Sequence, residues 1–386
     1  MSINALRGIR GIDIRKAGGG RLRIDLDAIV HNYRQVAARV APAKIGAVVK
    51  ANAYGLGAIP VTQALYDAGC QLFFVAHLNE ALTLRAVLPL EVQLVVLNGL
   101  VPDTDAACAE ADVTPVLNSL EQARRWANAA RQAGKRLPAI IQMDSGMGRL
   151  GMALEELTSL ANDGQILSTI KPVMFMSHLA CADMPRHRAN TAQLARFEAA
   201  TLLFPNVPRG IANSGGAFLP ANFHADIVRV GIALYGGAPN GDTPNPMQPV
   251  ISLDARLIQI RTVAAGGGVG YGHSHYCKHE SRIATIGIGY ADGLPRSLSN
   301  HGAAWYEGIR LPIVGRVSMD STTIDVTAIS PDSIRPGDWV QLIGPHQPID
   351  ALANDAGTIS YEILTRLGER YDRIYLPATH GRKVSI

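Results

Sequence analysis

The sequence is poor in cysteine, and its four cysteines are too scattered to share a site. Cys70, Cys108, Cys181 and Cys277 lie far apart along the chain, and none belongs to a CxxC pair. Zinc ribbons and disulfide-stapled folds depend on closely spaced cysteines. We therefore predict neither a disulfide framework nor a zinc site, and we expect no bound metal.

Long apolar runs and long basic runs are also missing. No apolar stretch is long enough to cross a membrane, and the basic residues 1–16 lack the apolar core of a signal peptide. Lys and Arg are scattered and the formal net charge is only +4, so nothing indicates binding to nucleic acid. We expect a cytoplasmic protein with no membrane and no nucleic-acid partner. A mildly basic chain suits anionic small molecules such as phosphates and carboxylates.

The 386 residues are 47% hydrophobic, which is enough for one large domain or two medium ones. Between residues 22 and 247, short apolar runs alternate with helical patterns, and helix N-caps are predicted at Asn79 and at Asn118 or Ser119. Such alternation indicates an α/β fold with a parallel sheet, and a strand count near eight favours a (β/α)₈ barrel over a doubly wound open sheet. The predicted strands are 47–50, 72–76, 92–97, 113–117, 139–143, 173–176, 210–212 and 227–230.

From residue 248 the pattern changes to strands separated by Gly, Pro and Asp turns, with few helices. We predict a barrel domain over 22–247 and a mostly β C-terminal domain over 248–386, on which residues 1–21 would pack. A helix is expected near 360–368. The strands expected in this domain are 253–263, 282–288, 313–316, 322–326 and 339–343.

Lys50 ends the first predicted barrel strand and is followed by a turn that contains Gly55 and Gly57. A lysine at this end of a barrel strand faces the mouth where active sites form. Partial burial there would lower its pKa and make the amine a usable nucleophile for an aldehyde. An ordinary surface lysine before a flexible turn would have the same local sequence.

Other predicted strand ends carry polar residues that could share the barrel mouth. Arginines there could hold a carboxylate or phenolate, and small polar side chains with bare backbone amides suit a phosphate. In the second domain, Tyr271 lies between two glycines and could act as an acid or base near a cofactor. Each residue also has a purely structural interpretation. The residues of the barrel set are Arg149, His178, Asn213, Ser214, Arg229, Gly231 and Ile232.

The segment 47–57, AVVKANAYGLG, resembles the pyridoxal-phosphate attachment signature of alanine racemases. Its Lys50 and Tyr54 lie four residues apart within one Asn- and Gly-containing turn. The resemblance covers both predicted domains and implies a pyridoxal-phosphate-dependent racemase that interconverts L- and D-alanine, as in the formation of cell-wall precursors. It extends over residues 144–151, 213–214, 229–236, 269–272, 287–293 and 315–320.

The resemblance also implies individual roles for the matching residues. Lys50 would hold pyridoxal 5′-phosphate as a Schiff base, and Tyr271 would be the second catalytic base. Arg229 would face the pyridine nitrogen with the support of His178. Arg149 would contact the phenolic oxygen of the cofactor and the substrate carboxylate. The residues implied for the cofactor phosphate are Tyr54, Asn213, Ser214, Gly231, Ile232 and Tyr361.

The remaining implied roles concern the second subunit and access to the site. In the family that the sequence resembles, the residues matching Tyr271 and Met319 reach the site from the other subunit, so the implied partner is a second copy of this chain. Met319 would offer a backbone group to the substrate carboxylate. Asp183, Tyr290 and Arg296 match positions that line the substrate entrance.

Gln142 departs from the family pattern. Many members have a lysine here, two residues before the equivalent of Asp144, and that lysine is carbamylated and holds the arginine that matches Arg149. A neutral glutamine cannot provide that negative charge. We therefore predict no carbamyl-lysine, and we expect that the Gln142 amide or a chloride near Gln142 and Arg149 takes its place.

Racemisation removes the α-proton from one face of the carbon and returns it on the other, which two bases on opposite faces achieve directly. By resemblance, Lys50 serves the D-face and Tyr271 the L-face. Alternatives are a racemase of serine or of a broader amino-acid set, and a pyridoxal-phosphate amino-acid decarboxylase of related fold. Decarboxylases of that fold normally pair the pyridine nitrogen with a carboxylate. The cationic Arg229 at the matching position therefore argues against a decarboxylase. A single-barrel cofactor carrier would lack the second domain that carries Tyr271.

Overall fold

The computed structural model describes residues 18–241 and 244–376, which form two compact units. One unit is Ile29–Gln248, and the other contains the described residues up to Ala28 together with those from Pro249 onward. A parallel sheet forms the core of the first unit, and a mostly antiparallel sheet forms the core of the second. None of the described helices is both long and apolar enough to span a bilayer.

Among the described residues, the first unit contains an eight-stranded parallel sheet in which chain neighbours are spatial neighbours and β9 pairs with β2. The Asp226 N–H donates to the Arg209 carbonyl and the Arg229 N–H to the Ala212 carbonyl, so β8 and β9 also meet. The sheet is therefore nearly closed, and the predicted (β/α)₈ barrel is confirmed. Its strands are β2 (Lys44–Val48), β3 (Leu72–Val75), β4 (Gln93–Val96), β5 (Thr114–Leu117), β6 (Leu137–Gln142), β7 (Ile170–Met176), β8 (Arg209–Gly210) and β9 (Ile227–Val230).

Helices precede and connect the barrel strands. As predicted, Ser119 is an N-cap, because its side chain accepts a hydrogen bond from the Gln122 N–H at 3.2 Å. The predicted N-cap at Asn79 is wrong, because α4 begins at Leu78 and His77 is the capping position. The helices are α1 (Leu26–Val40), α2 (Lys50–Tyr54), α3 (Ala58–Asp67), α4 (Leu78–Arg85), α5 (Asp105–Glu110), α6 (Leu120–Gln132), α7 (Leu154–Asn162), α8 (Gly164–Leu167) and α9 (Arg188–Thr201).

The second unit is mostly β within the described residues, as predicted, with short helices near its C-terminal end. Two of its strands, β11 and β12, form a separate hairpin around Tyr271. The elements are β1 (Gly20–Asp25), β10 (Ile251–Val263), β11 (Gly268–Val269), β12 (His275–Tyr276), β13 (Ser281–Ile286), β14 (Ala303–Tyr306), β15 (Ile309–Pro312), β16 (Thr322–Asp325), β17 (Trp339–Ile343), α10 (Ile349–Asp355), α11 (Ser360–Thr365) and β18 (Asp372–Leu376).

Strand β1 belongs to the sheet of the second unit, although the sequence pattern places residues from 22 onward in the barrel domain. It pairs antiparallel with β10 and parallel with β18. Leu22 and Ile24 are fully buried, whereas Arg21 and Arg23 between them are partly exposed. Alternation of this kind suits a sheet with one solvated face, whereas barrel strands are buried on both faces.

One predicted strand of the second unit is absent from the described residues. The segment 313–316 forms only an isolated bridge, between Ile313 and Ile324. Gly315 has a φ of +81°, which ends extended pairing, and the neighbouring strand β15 stops at Pro312. The apolar run at 313–314 therefore packs in the core without joining a ladder.

Candidate active site

Lys50 begins α2, which is a single turn of left-handed backbone and not a regular α-helix, just beyond the end of strand β2. Ala51, Asn52, Ala53 and Tyr54 have φ values between 52° and 55°. Left-handed conformation costs an L-residue roughly 1–2 kcal/mol, so the surrounding contacts must hold this turn. The Asn52 carboxamide oxygen accepts a hydrogen bond from the Ala58 N–H at 2.7 Å. The Val49 N–H, just before Lys50, donates to the Phe74 carbonyl at 2.8 Å, so the strained turn that presents Lys50 is held on both sides.

The environment of Lys50 favours an uncharged amine. Burial lowers the pKa of Lys50 below its ordinary value, and the neighbouring Arg149 and Arg229 guanidinium groups lower it further. The Glu80 carboxylate acts in the opposite direction. A lysine in these surroundings loses its proton at lower pH than an exposed one and is the better nucleophile at neutral pH.

Arg229 is 3% exposed and uses its side chain to bind backbone carbonyls. One terminal nitrogen donates to the Gly210 carbonyl at 3.1 Å, and the other donates to the Ser177 carbonyl at 2.6 Å. The second nitrogen also lies 3.3 Å from His178 Nδ1. Burial lowers the pKa of Arg229 to about 10, so the guanidinium is still charged at neutral pH.

His178 is held in its neutral form beside this arginine. Burial, together with Arg229, Arg149 and Lys50, lowers the pKa of His178 to about 3. Because Arg229 can only donate, Nδ1 of the ring accepts and the ring proton is assigned to Nε2. The ring is therefore an uncharged partner that orients the arginine.

Asn213 and Ser214 follow strand β8 on the same side of the barrel. Asn213 Oδ1 accepts a hydrogen bond from the Gly216 N–H at 3.0 Å, whereas its Nδ2 donates to the Leu179 carbonyl at 3.3 Å and lies 3.5 Å from His178 Nε2. Ser214 Oγ accepts from the Gly231 N–H at 2.9 Å, so its own proton is left to donate outward.

Tyr54 and Gly231 meet next to Ser214. A Cβ atom on Gly231 would lie only 2.3 Å from the Tyr54 hydroxyl, so a side chain at this position would fill the space. Ile232 starts the following 3-10 turn, and its N–H is of the kind that a helix start leaves without an internal partner. Hydroxyls and backbone amides therefore converge in a small cradle of the type that suits a phosphate.

Arg149 lies in the loop after β6 and is exposed. Within residues 18–241 and 244–376, its guanidinium has no hydrogen bond or ion pair. The Asp144 carboxylate shapes the loop by accepting the N–H groups of Gly146, Met147 and Gly148. Gln142 donates to the Leu150 carbonyl at 3.1 Å and therefore supports the loop backbone.

Tyr271, Met319 and Tyr361 lie in the second unit. Tyr271 is 72% exposed in the turn between β11 and β12, and Met319 is 53% exposed in the loop before β16. Tyr361 is 40% exposed on helix α11. These three residues therefore belong to the second unit, whereas Lys50 belongs to the first.

The three residues predicted to line the substrate entrance are distributed over both units. Asp183 is an exposed residue of the barrel unit, after strand β7. Tyr290 and Arg296 lie in the second unit, where they line a cavity of about 480 Å³ together with Arg366. The Tyr290 loop is also tied to Met319, because the Ala291 N–H donates to the Met319 carbonyl at 2.9 Å.

An ion-pair cluster holds these two loops of the second unit. Arg370 donates to both carboxylate oxygens of Asp292, at 2.7 and 2.8 Å, and to Asp320 at 2.6 Å. Asp292 is in the Tyr290 loop and Asp320 directly follows Met319. Planar, bidentate pairing of this kind fixes orientation as well as distance, so the cluster sets how Tyr290 and Met319 are presented.

Sequence reasoning missed two groups of supporting residues. Glu80 accepts the Ala51 N–H beside Lys50 at 2.6 Å. Buried Gln193 donates to Ser145 Oγ and to the His178 carbonyl, and Ser145 shares a 2.7 Å contact with Ser177. Glu80 stands three residues after His77, which is capping-box spacing and could have been recognised. The Gln193 contacts join distant loops and have no local signal.

Known proteins of one family match most of this chain. The family described as "Alanine racemase, N-terminal domain" matches residues 24–239, and "Alanine racemase, C-terminal domain" matches residues 250–375. A protein of Agrobacterium fabrum named "Alanine racemase, catabolic" is 52% identical, over 96% of this chain and 97% of its own. A Brucella canis protein named "Alanine racemase" is 49% identical, over 95% of this chain and 96% of its own.

A solved structure agrees with these sequence matches. The crystal structure of alanine racemase from Bartonella henselae with covalently bound pyridoxal phosphate superposes with a TM-score of 0.90 at 45% identity. The superposition covers 93% of this chain and 100% of the Bartonella henselae chain. Family matches that span both units, with relatives near 50% identity, decide the classification. This chain belongs to the alanine racemase family.

Proposed function

We propose that this chain is a pyridoxal-phosphate-dependent racemase that interconverts L- and D-alanine, and so supplies or consumes D-alanine. The observation that carries the proposal is the buried Arg229, fixed by two backbone carbonyls and the neutral His178 at the barrel end that also holds Lys50. The relatives named alanine racemase, at about half identity over nearly the full chain, support the choice of substrate.

The residues present fit the cofactor. Lys50 has the lowered pKa that attack on an aldehyde requires. The hydroxyls of Tyr54 and Ser214 and the backbone of Gly231 and Ile232 lie together, with Asn213 beside them, and are proposed to bind the phosphate. We propose that Tyr361 adds its hydroxyl to this phosphate. The guanidinium of Arg149, which has no partner among the described residues, is proposed to bind the phenolic oxygen of the cofactor and the substrate carboxylate.

When bound, pyridoxal phosphate provides a conjugated ring that draws electrons from the α-carbon of the substrate. The chain provides the bases and the orientation. We propose that the Lys50 amine takes or returns the proton on the D-face of that carbon and that the Tyr271 phenol does so on the L-face. Met319 would offer its N–H to the substrate carboxylate, because its carbonyl is used by Ala291.

Arg229 is proposed to face the pyridine nitrogen. A fixed cation there disfavours protonation of that nitrogen, so the ring withdraws electrons less strongly than one paired with a carboxylate. His178 cannot compensate, because its Nδ1 accepts a hydrogen bond from the arginine and the ring is neutral. The arrangement therefore favours proton return to the α-carbon, which is racemisation, over transamination.

We propose that the active form is a homodimer in which Tyr271 and Met319 contribute to the site of the other subunit. Both side chains are more than half exposed in the single chain, although one is a large aromatic residue and the other is apolar. A second copy would cover them. Asp183, Tyr290 and Arg296 are proposed to line the passage by which the amino acid enters.

We propose that Gln142 takes the place of the carbamylated lysine of other family members but does not carry the negative charge of that lysine. Its amide supports the Leu150 carbonyl, and it provides no anion to Arg149. We propose that a chloride bound near Gln142 and Arg149 provides the missing negative charge.

A panel of L-amino acids tests the proposed reaction. The purified chain, saturated with pyridoxal phosphate, is incubated separately with L-alanine, L-serine, L-lysine and L-arginine, and the products are resolved by chiral chromatography. We expect D-alanine to form fastest. Faster racemisation of another amino acid would reassign the substrate, and release of carbon dioxide without any D-isomer would replace the racemase by a decarboxylase.

Replacing Tyr271 by phenylalanine tests the two-base arrangement. The change keeps the ring and removes the group that carries the proton, and a general base contributes about 10²–10⁴ in rate. We expect exchange of the α-hydrogen of L-alanine for solvent deuterium to fall by that order, with a smaller loss from D-alanine. Tyr276→Phe alters an exposed tyrosine of the same hairpin and should change neither rate. Equal losses from both enantiomers would argue against opposed bases.

A further inference from the structure

Glu80 connects two neighbouring loops at the mouth of the barrel. It is the third residue of helix α4, and one carboxylate oxygen accepts the N–H groups of Ala76 and His77 at 2.8 and 3.0 Å. The other oxygen reaches 29 residues back along the chain and accepts the Ala51 N–H at 2.6 Å. Hydrogen bonds from N–H groups to a carboxylate are stronger than those to a neutral acceptor. One side chain therefore fastens the turn after β2 to the start of the helix after β3.

The Ala51 N–H is the first amide after Lys50, at the point where the backbone becomes left-handed. Residues 51–54 all have positive φ, and two of them are alanines, which rarely adopt this conformation. A turn under this strain persists only where contacts over-determine it. The hydrogen bond to Glu80 holds the first amide after Lys50, so it helps to set the direction in which the lysine leaves the backbone.

The Glu80 carboxylate also contributes a negative charge to the surroundings of Lys50. The charged groups that act on the lysine are Arg149 from the loop after β6, Arg229 from β9, and Glu80 from α4. The neutral His178 lies beside Arg229. Two of the three charges are positive and Glu80 is the negative one. Removing it would leave the ammonium form of Lys50 facing two cations without an anion.

We infer that Glu80 is a positioning residue for Lys50: its carboxylate fixes the left-handed turn that presents the amine and balances the two arginines around it. The inference rests on the proposed function, because it concerns the lysine that takes up the cofactor. Glu80 acts through the backbone of Ala51 and through charge. A glutamine would keep only one accepting oxygen and would turn an N–H₂ group towards backbone donors.

The chain offers a matched control in Glu156. It is the third residue of helix α7, and one of its oxygens accepts the Ala153 N–H at 3.2 Å. The other oxygen reaches 36 residues back to the Leu120 N–H at 3.3 Å. Glu156 therefore joins two loops of the same barrel unit as Glu80 does, but it is not among the groups that act on Lys50. Glu156→Gln measures the cost of losing such a cap by itself.

The experiment follows cofactor capture by the full chain after its cofactor has been removed. Pyridoxal phosphate is added between pH 5.5 and 9.5, the rate is read from absorbance, and the adduct at Lys50 is trapped with borohydride and located by mass spectrometry. In Glu80→Gln, the pKa of Lys50 should fall further because an anion is lost. We expect the midpoint of the rate profile to move about half a pH unit or more to lower pH, which is about a threefold change in uncharged amine.

The rate of cofactor capture at high pH tests the positioning role of Glu80 separately from its charge. We expect the high-pH rate of capture in Glu80→Gln to fall about tenfold, because a displaced nucleophile attacks less often in a productive geometry. Glu80→Asp keeps the charge on a shorter side chain, so its midpoint should match the wild type while its high-pH rate falls. Glu156→Gln should lower only the thermal midpoint of unfolding.

The possible failures are distinguishable. If the wild-type chain forms no trapped adduct at Lys50, the proposed function is wrong. If the wild type forms it and Glu80→Gln has the midpoint and high-pH rate of Glu156→Gln, the inference about Glu80 is overturned. Should Glu80→Gln not fold, Glu80→Asp decides: an unchanged high-pH rate removes the positioning role, and a shifted midpoint contradicts the account of the charge.

Discussion

Replacing Lys50 by alanine is expected to abolish racemisation and to remove the visible absorption of the bound cofactor. The variant loses the amine that attaches the cofactor and one of the two proposed bases. General base catalysis alone contributes about 10²–10⁴ in rate, so we expect the turnover of L-alanine to fall by at least about 10⁴-fold. Absorbance after dialysis and chiral chromatography of the product measure the two losses.

Lys44→Ala is the matched control for this substitution. Lys44 is the first residue of strand β2, at the opposite end of the barrel from the turn that follows the strand. It is exposed, so its loss should leave stability, cofactor content and rate nearly unchanged. Racemisation that survives in Lys50→Ala would remove the central part of the proposed function, and equal damage in both variants would indicate a loss of folding.

Reversing the charge at Arg229 is expected to change the outcome of the reaction as well as its rate. In Arg229→Glu, an acid would stand at the proposed position of the pyridine nitrogen and favour its protonation. The ring would then withdraw electrons more strongly, and we expect transamination per racemisation event to rise at least about tenfold, which corresponds to about 1.4 kcal/mol. Pyruvate formed from alanine and the D/L ratio measure the partition.

The same substitution should destabilise the barrel unit. Arg229 donates to the Ser177 carbonyl and to His178 Nδ1, which both lose this donor, whereas the Gly210 carbonyl keeps the Ser177 N–H. Unsatisfied buried acceptors cost about 1–3 kcal/mol each, so we expect the free energy of unfolding to fall by about 2 kcal/mol or more. Urea unfolding at pH 7.5 measures this loss.

Arg136→Glu is the control for the loss of a carbonyl-binding arginine. Arg136 donates to the Leu167 and Ile170 carbonyls next to the amino-terminal ends of β6 and β7, but it is exposed. This variant should be less destabilised than Arg229→Glu and should keep the wild-type ratio of transamination to racemisation. If the ratio is also unchanged in Arg229→Glu, the proposed role of the arginine at the ring nitrogen is wrong.

Local patterns predicted much of the fold because each barrel strand is a short apolar run followed by a helical pattern. Strand β9 was predicted at its observed bounds, and the cap at Ser119 follows from side-chain chemistry that acts within three residues. The pairing of strand β1 cannot be predicted in this way, although the sequence pattern places residues from 22 onward in the barrel domain. Its apolar alternation indicates a half-exposed strand but does not tell that its partners are β10 and β18, which lie far later in the chain.

Some features of the candidate site can likewise be predicted from the sequence, and others cannot. The Lys50–Tyr54 spacing and the polar residues at the strand ends can be read from the sequence, because a parallel barrel gathers the ends of its strands at one mouth. The proton on His178 and the state of Lys50 cannot be read in this way. Both depend on burial and on charges that come from several strands.

The barrel with its appended β domain, the lysine turn and the family resemblance can all be recognised from the sequence, since apolar periodicity and short motifs are local properties. The folded chain is needed to show that Lys50 emerges from a strained left-handed turn held by Glu80 and that Arg229 is fixed on two carbonyls beside a neutral His178. It is also needed to show that Gln142 supports the backbone and gives Arg149 no charge. These features arise from contacts between loops that are distant in the chain, and such contacts exist only once the barrel has closed.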